Sequence, residues 1–285
     1  MADFVAISLR GLAIAAALQA AGVPVFIWLF GRDLERSSIA LRALAVRTAL
    51  TGFILTLAHA IVAPARLTGE LAGMTDMTLQ AMLLASDAGT ALAVRGLGLA
   101  LVLAGALRGS RNTQAAALLG AALIAVSFAF MGHTAADDRR WLLAPALIVH
   151  LLAIAFWLGS LLPLTLVSRL EDPSVAGATI ERFSQSAVRL VPMILIAGVV
   201  MAGVLLPDFS SLATPYGVSV MAKSAGFALL MVLAAANKWR FGPGIAAGKP
   251  AAAKMFRRCV FAEWFLILIV VLVTAVMTAL FSPER

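Results

Sequence analysis

Apolar residues run along this chain in long blocks that polar residues interrupt only briefly. A helix needs about 20 mostly apolar residues to cross a bilayer. Eight blocks reach that length: residues 4–30, 43–64, 86–107, 114–132, 141–167, 187–206, 215–238 and 259–281. The breaks between them carry turn chemistry: Pro64, Arg108-Gly109-Ser110, Asp137-Asp138, Asp172-Pro173, Pro207-Asp208 and Gly242-Pro243-Gly244. The longest polar connections, 65–80, 168–187 and 239–257, are too short to hold a second, soluble domain. The pattern predicts an all-α polytopic membrane protein, a bundle of eight transmembrane helices forming one membrane domain over residues 1–285.

Composition agrees: 62% of the residues are hydrophobic and 13% charged. The net charge of +8 raises the question of nucleic acid. Its distribution answers it, because the cations are spread over connections between apolar spans, where they signal topology. No nucleic-acid partner is expected; the partner is the lipid bilayer. Placing the connections 1–2, 3–4, 5–6 and 7–8 inside puts 15 of the 22 Lys and Arg on that side and 7 on the other. Both termini are then expected to face outward. The first span begins with Asp3 and stays apolar to Phe30, so it reads as a retained helix and not a cleaved signal. Cys259 is the single cysteine, which leaves no disulfide and no CxxC motif. Small pairs such as Ala17/Ala21 and Gly198/Ala202 suit close helix packing in lipid.

The candidate chemistry lies in three histidines, the whole complement of the chain: His59, His133 and His150. Imidazole at membrane depth is costly, and as the neutral ring it is a common metal ligand. His59 sits about 8 Å from the outer end of its span, His133 closes the fourth span, and His150 lies about 13 Å into the fifth, at 1.5 Å per residue. All three therefore fall in the outer half. Each also has a plain structural reading, His133 as an interfacial residue and the deeper two as satisfied hydrogen bonders. Met131 stands two residues before His133, and a thioether favours Cu(I) while imidazole suits Cu(I) and Cu(II) alike. Trp157, two turns beyond His150 on the same face, either packs the bundle or shields a site. Glu70, Asp76, Asp87, Asp137, Asp138 and Asp208 give the outer connections an acidic character, which also suits simple solvated loops.

Arg10, Arg95 and Lys223 are charges within spans, and Glu263 is expected near the inner end of the eighth, with Asn237, Lys238, Arg257 or Arg258 as partners. Cys259 beside Arg257 and Arg258 is a lone thiol without a second ligand. The chain carries no GxxxxGK[ST] loop, no HExxH and no GxSxG, so neither an ATP-driven pump nor a membrane protease is expected, and no enzyme activity. Paired intramembrane histidines also hold haem as axial ligands, which leaves a membrane electron-transfer protein as the alternative reading.

Several segments carry a resemblance: Gly132-His133-Thr134, His150 with Trp157-Leu158-Gly159, Arg182-Phe183-Ser184, Thr214-Pro215-Tyr216-Gly217 with Lys223, Asn237 with Arg240, and Arg257-Arg258 with Glu263. In this order and spacing, clearest over residues 125–280, the chain resembles the copper resistance protein D (CopD) family of bacterial inner-membrane proteins. The resemblance implies eight membrane helices and movement of copper from periplasm to cytoplasm, and with a bacterial inner membrane the outward termini expected from the cations are periplasmic. It also implies a periplasmic CopC-type copper-binding partner. Joined to the histidine pattern, it makes His59, His133 and His150, with Met131, the expected outer copper site. His150 is the deepest ligand and His133 lies at the mouth, while Trp157 walls the site below, with Lys223 and Glu263 in support.

Overall fold

In lipid an apolar helix needs no core to exist, so the fold is decided by which helices pack and how closely their backbones approach. The computed structural model describes residues 2–109, 111–206 and 208–282, without the side chains of residues 111, 112, 133 and 134. Eight of the described helices are long and apolar enough to cross a membrane. They are α1 (Ala2–Phe30), α2 (Ser38–Val62), α3 (Asp87–Arg108), α4 (Arg111–Ser127), α5 (Arg140–Leu170), α6 (Pro173–Leu205), α7 (Pro215–Ala236) and α8 (Pro250–Leu280). No strand occurs among the described residues.

The hub is α1, which packs against α2, α3, α4, α5 and α8. Its sequence explains this. Residues 17–24 read ALQAAGVP and are all buried, and their small side chains let neighbours close in from every side. The tightest approach is to α5. A Cβ on Gly22 would stand 2.7 Å from Gly159 Cα and would overlap the Ala155 carbonyl outright. Only a backbone without side chains fits there. A similar crossing joins α3 and α4, where a Cβ on Gly98 would stand 2.7 Å from the Gly120 carbonyl oxygen. Towards the other end of α1, Phe30 meets Phe156 of α5 and Phe183 of α6, with ring centroids 6.5 and 6.3 Å away.

The two faces of the bundle are tied separately. At the face holding both termini, Arg66 donates to Asp3 at 3.2 Å and to the Ala279 carbonyl at 3.0 Å, joining the start of α1 to the end of α8. At the opposite, arginine-rich face, the α1–α2 connection is fastened to the α5–α6 connection. Ser37 donates its N–H and its hydroxyl to Glu171 at 2.8 and 2.6 Å, Arg36 pairs with Asp172, and Arg182 pairs with Asp33 at 2.9 Å. Two exposed tryptophans, Trp141 near the termini face and Trp239 near the other, stand where amphipathic rings favour the interface.

Three helices begin earlier than the apolar pattern predicts: α2 at 38 instead of 43, α6 at 173 instead of 187, and α8 at 250 instead of 259. The reason is the same in each case. These turns are amphipathic and extend past the hydrocarbon, so a count of apolar residues misses them. In α6, Ala176, Gly177, Thr179 and Ile180 are buried while Glu181 and Arg182 face out. The connection 65–80 is also not a plain loop. It holds short helical turns, and Asp76 caps Met77–Leu84 by accepting from Thr78 N and Leu79 N at 2.9 and 3.0 Å.

If the Gly22–Gly159 crossing sets the spacing of α1 and α5, Gly159→Leu should lower stability by at least the ~1–3 kcal/mol usual for overpacking. An unchanged unfolding midpoint of the detergent-purified variant would contradict the crossing.

Candidate functional site

His150 lies ten residues into α5, about 15 Å from its start. Its Nδ1 is 3.0 Å from the Ile194 carbonyl oxygen of α6. A carbonyl can only accept, so Nδ1 carries the hydrogen, and in the neutral ring Nε2 keeps a free lone pair. This is how ligating imidazoles are commonly oriented, with one nitrogen anchored and the other presented. Gly198, one turn along α6, flanks the ring: a Cβ there would be in ordinary van der Waals contact, 3.8 Å from Cε1. Lys223 of α7 lies within electrostatic range of the ring.

His59 has other neighbours. It is half-buried on α2, within the fields of Arg10 of α1, Arg95 of α3 and Arg66. Arg95 is 7% exposed, donates from Nε to Ser127 Oγ at 3.0 Å, and lies with its guanidinium 4.0 Å from the Phe128 ring centroid. Like charges in these positions oppose a cation at His59. The backbone of His133 opens the short helix His133–Ala136 between α4 and α5, and its side chain lies outside the described residues. Met131 precedes it, half-buried in extended backbone. Among the described residues, no three His, Cys, Asp or Glu side chains gather into a group that could hold a metal ion.

The sequence reading did not assemble a second constellation, deeper in the bundle. Glu263 of α8 is 2% exposed and accepts from Trp157 Nε1 of α5 at 3.2 Å and from Asn237 Nδ2 at 2.5 Å. Asn237 opens a π-helical turn, Asn237–Phe241, that follows α7, and π turns recur at functional sites. α8 starts at 250, so Glu263 lies thirteen residues along the helix, but only four residues past the start of the apolar block at 259, toward the arginine-rich end of the span. Of the expected partners Asn237 is present, while Arg257 and Arg258 make no ion pair with Glu263 among the described residues. Cys259 donates its thiol to the Leu233 carbonyl at 3.4 Å. Trp264, on another side of α8, donates to Gln19 of α1 at 3.0 Å.

A cavity of about 600 Å³ borders this constellation, walled by α5, α6, α7 and α8. α6 packs on α5 and α7 packs on α8, but α6 and α7 barely meet, which leaves the space between them. Trp157, Leu161 and Leu164 line it from α5, opposite the face where Ala155 and Gly159 meet α1. At the termini face, in the α6–α7 connection, Asp208 is exposed and accepts from Ser210 Oγ, Ser211 N and Ser211 Oγ at 2.7, 3.0 and 3.0 Å. These bonds, Ser210 Oγ first, hold its carboxyl below the ordinary range, so it keeps its negative charge under mildly acidic conditions.

Two family descriptions match the chain: Copper resistance protein D-like, N-terminal domain, over residues 1–143, and Copper resistance protein D, over residues 177–277. The chain is 29% identical over 230 residues to Copper resistance protein D of Pseudomonas syringae pv. tomato, which covers 74% of each protein. It is 28% identical over 162 residues to Copper transport protein CutJ of Bacillus subtilis (strain 168), covering 55% of this chain and 29% of that much longer one. No solved structure matches. The names are those of copper resistance and transport proteins and not of enzymes. With half its length matched by the N-terminal description and most of its second half by the other, the chain belongs to the copper resistance protein D family.

Proposed function

We propose that this protein carries copper across the bacterial inner membrane, from periplasm to cytoplasm, and that His150 is the ligand on which the outer site is built. The single observation behind this is the orientation of His150, with Nδ1 anchored on Ile194 and Nε2 free. Family membership supports copper as the cargo. The distribution of cations supports the orientation: 15 of 22 Lys and Arg fall on the side away from the termini, which is the cytoplasmic side by the positive-inside rule. The termini face, with Asp208 and the other outer acids, is then periplasmic and suited to receive a cation from a CopC-type carrier.

Within the site, His133 would stand at the mouth with Met131 beside it, and a thioether there favours Cu(I). His59 holds the weaker place, because Arg10, Arg66 and Arg95 oppose a cation beside it. Below His150 the route follows one side of α5. Trp157 walls the site, and the cavity beside Glu263 leads toward the arginine-rich face. A cation moving inward gains about 2.3 kcal/mol per charge per 100 mV of membrane potential. Lys223, near His150, would keep the site from holding copper too tightly once bound.

His150→Ala is expected to lower cellular copper accumulation by at least about tenfold, the loss typical even of changes around a metal site, while the protein still inserts. Normal accumulation in that variant would remove His150 from the reading. Purified protein washed after copper loading should retain stoichiometric copper, and the His133→Ala/His150→Ala variant should lose it. Iron with a haem spectrum and no copper would replace this reading with axial haem ligation.

A further inference from the structure

Glu263 is an isolated buried acid in the half of the bundle built from α5 to α8. Counting along the helices, it lies as far from the end of α8 at Leu280 as Trp157 lies from the start of α5 at Arg140. Both are therefore about 25 Å from the termini face at 1.5 Å per residue, roughly 10 Å deeper than His150. The two groups that donate to Glu263, the indole of Trp157 and the amide of Asn237, are neutral. Among the described residues no cation pairs with it. An ionised carboxylate at such depth with neutral donors alone is costly.

The partner amide carries a complementary defect. Asn237 is 8% exposed, and its Oδ1 has no hydrogen-bond partner among the described residues. The two defects share a cause. A carboxylate only accepts, so it draws the amide nitrogen toward itself and strands the amide oxygen. A proton on Glu263 relieves both at once. The carboxylic acid then has a hydrogen to give, and a half-turn of the Asn237 amide presents Oδ1 to receive it. The pair thus has one hydrogen-bonding arrangement for each charge state of Glu263.

Water has a way to reach this pair. The cavity that borders Glu263 and Asn237 also borders Lys238 and Trp239, and Trp239 is exposed near the arginine-rich face. Ser184, Asn237, Lys238 and Glu263 supply polar partners along a mostly apolar wall, which is what water needs to occupy such a space. The charged or titratable groups facing Glu263 are Lys238 after α7 and Cys259 on α8 itself. The cavity walls from α5 and α6 contribute none among the described residues.

We infer that Glu263 is a proton-binding site, reached through the α6–α7 cavity from the arginine-rich face and read out by Asn237, and that its proton exchanges with the passing copper ion. In the resting state hydronium in the cavity gives its proton to the carboxylate, leaving water, and Asn237 Oδ1 accepts from the acid. A copper ion moving past Trp157 displaces that proton into the cavity, where water takes it up, and the Asn237 amide turns back. The proton site stands on the geometry alone, while the exchange with copper rests on the transport reading above.

The test is infrared difference spectroscopy of the full-length protein, titrated between mildly alkaline and mildly acidic buffer without copper. A protonated-carboxyl band should grow in on acidification and be lost in Glu263→Gln. This variant keeps an acceptor for Trp157, and surface acids cancel between the two spectra. Identical titrations of the two proteins would overturn the proton site. Should Glu263→Gln fail to fold, Asn237→Leu serves: it should displace the midpoint of the band, and an unmoved midpoint would overturn the role of Asn237. Copper uptake into vesicles of the wild type should depend on pH on the cavity side and lose that dependence in Glu263→Gln. Dependence retained in the variant, where the wild type shows the band and the variant lacks it, overturns the exchange. Wild-type vesicles that take up no copper defeat the transport reading and leave the band as it was.

Discussion

The approach of α1 to α5 at Gly22 and Gly159 is the contact on which the other arrangements rest. It brings two backbones together with no side chain between them, and that fixes how α5 is turned. Residues 155 and 159 share the side facing α1. Trp157, about 200° around the helix from Ala155 at 100° per residue, must then point away from the hub. That is where it meets Glu263 and the cavity. His150, two turns earlier on the same side, is carried toward α6 by the same rotation. A larger side chain at the crossing would turn or displace α5 and move both residues together.

Around this axis the bundle divides electrically. In the half built from α1 to α4, guanidiniums gather near His59, with Arg95 buried against Ser127 and Phe128. In the half built from α5 to α8, the ring of His150 and the acid Glu263, through Trp157, are both met from one side of α5. The first half holds guanidiniums alone near its histidine, while the second sets an acid, Glu263, against the cation near His150, Lys223. The contrast needs no bound ion to exist, because it is set by where the chain places its few intramembrane charges.

Much of this was legible in the sequence. The eight spans follow from block length, and the turns follow from Pro, Gly and Asp at the breaks. The neighbourhood of Asn237 and Glu263 was foreseeable, since both fall toward the same side of adjacent spans. Depth along a helix can be counted, so the placement of His59 and His150 in the half toward the termini was readable. Rotation about the helix axis cannot be counted in the same way, because it depends on which helices become neighbours. That is why His59 and His150 prove to have different surroundings, and why the arginines around His59 were not anticipated. The early starts of α2, α6 and α8 were hidden by amphipathic turns. The π-helical turn that brings Asn237 to Glu263 leaves no composition signal, since it changes the hydrogen-bond register and not the residue types.

The ties at the arginine-rich face carry a mechanical consequence. Ser37, Arg36 and Asp33 hold the α1–α2 connection to Glu171, Asp172 and Arg182, at the turn between α5 and α6. This seam pins α6 by its first turns, while the rest of α6 lies alongside α7 with little between them. Beyond the clamp α6 keeps its packing on α5 and leaves only its flank toward α7 uncovered. Any parting of α6 from α5 would therefore open from the end away from the clamp, the side on which Ile194 holds the His150 ring.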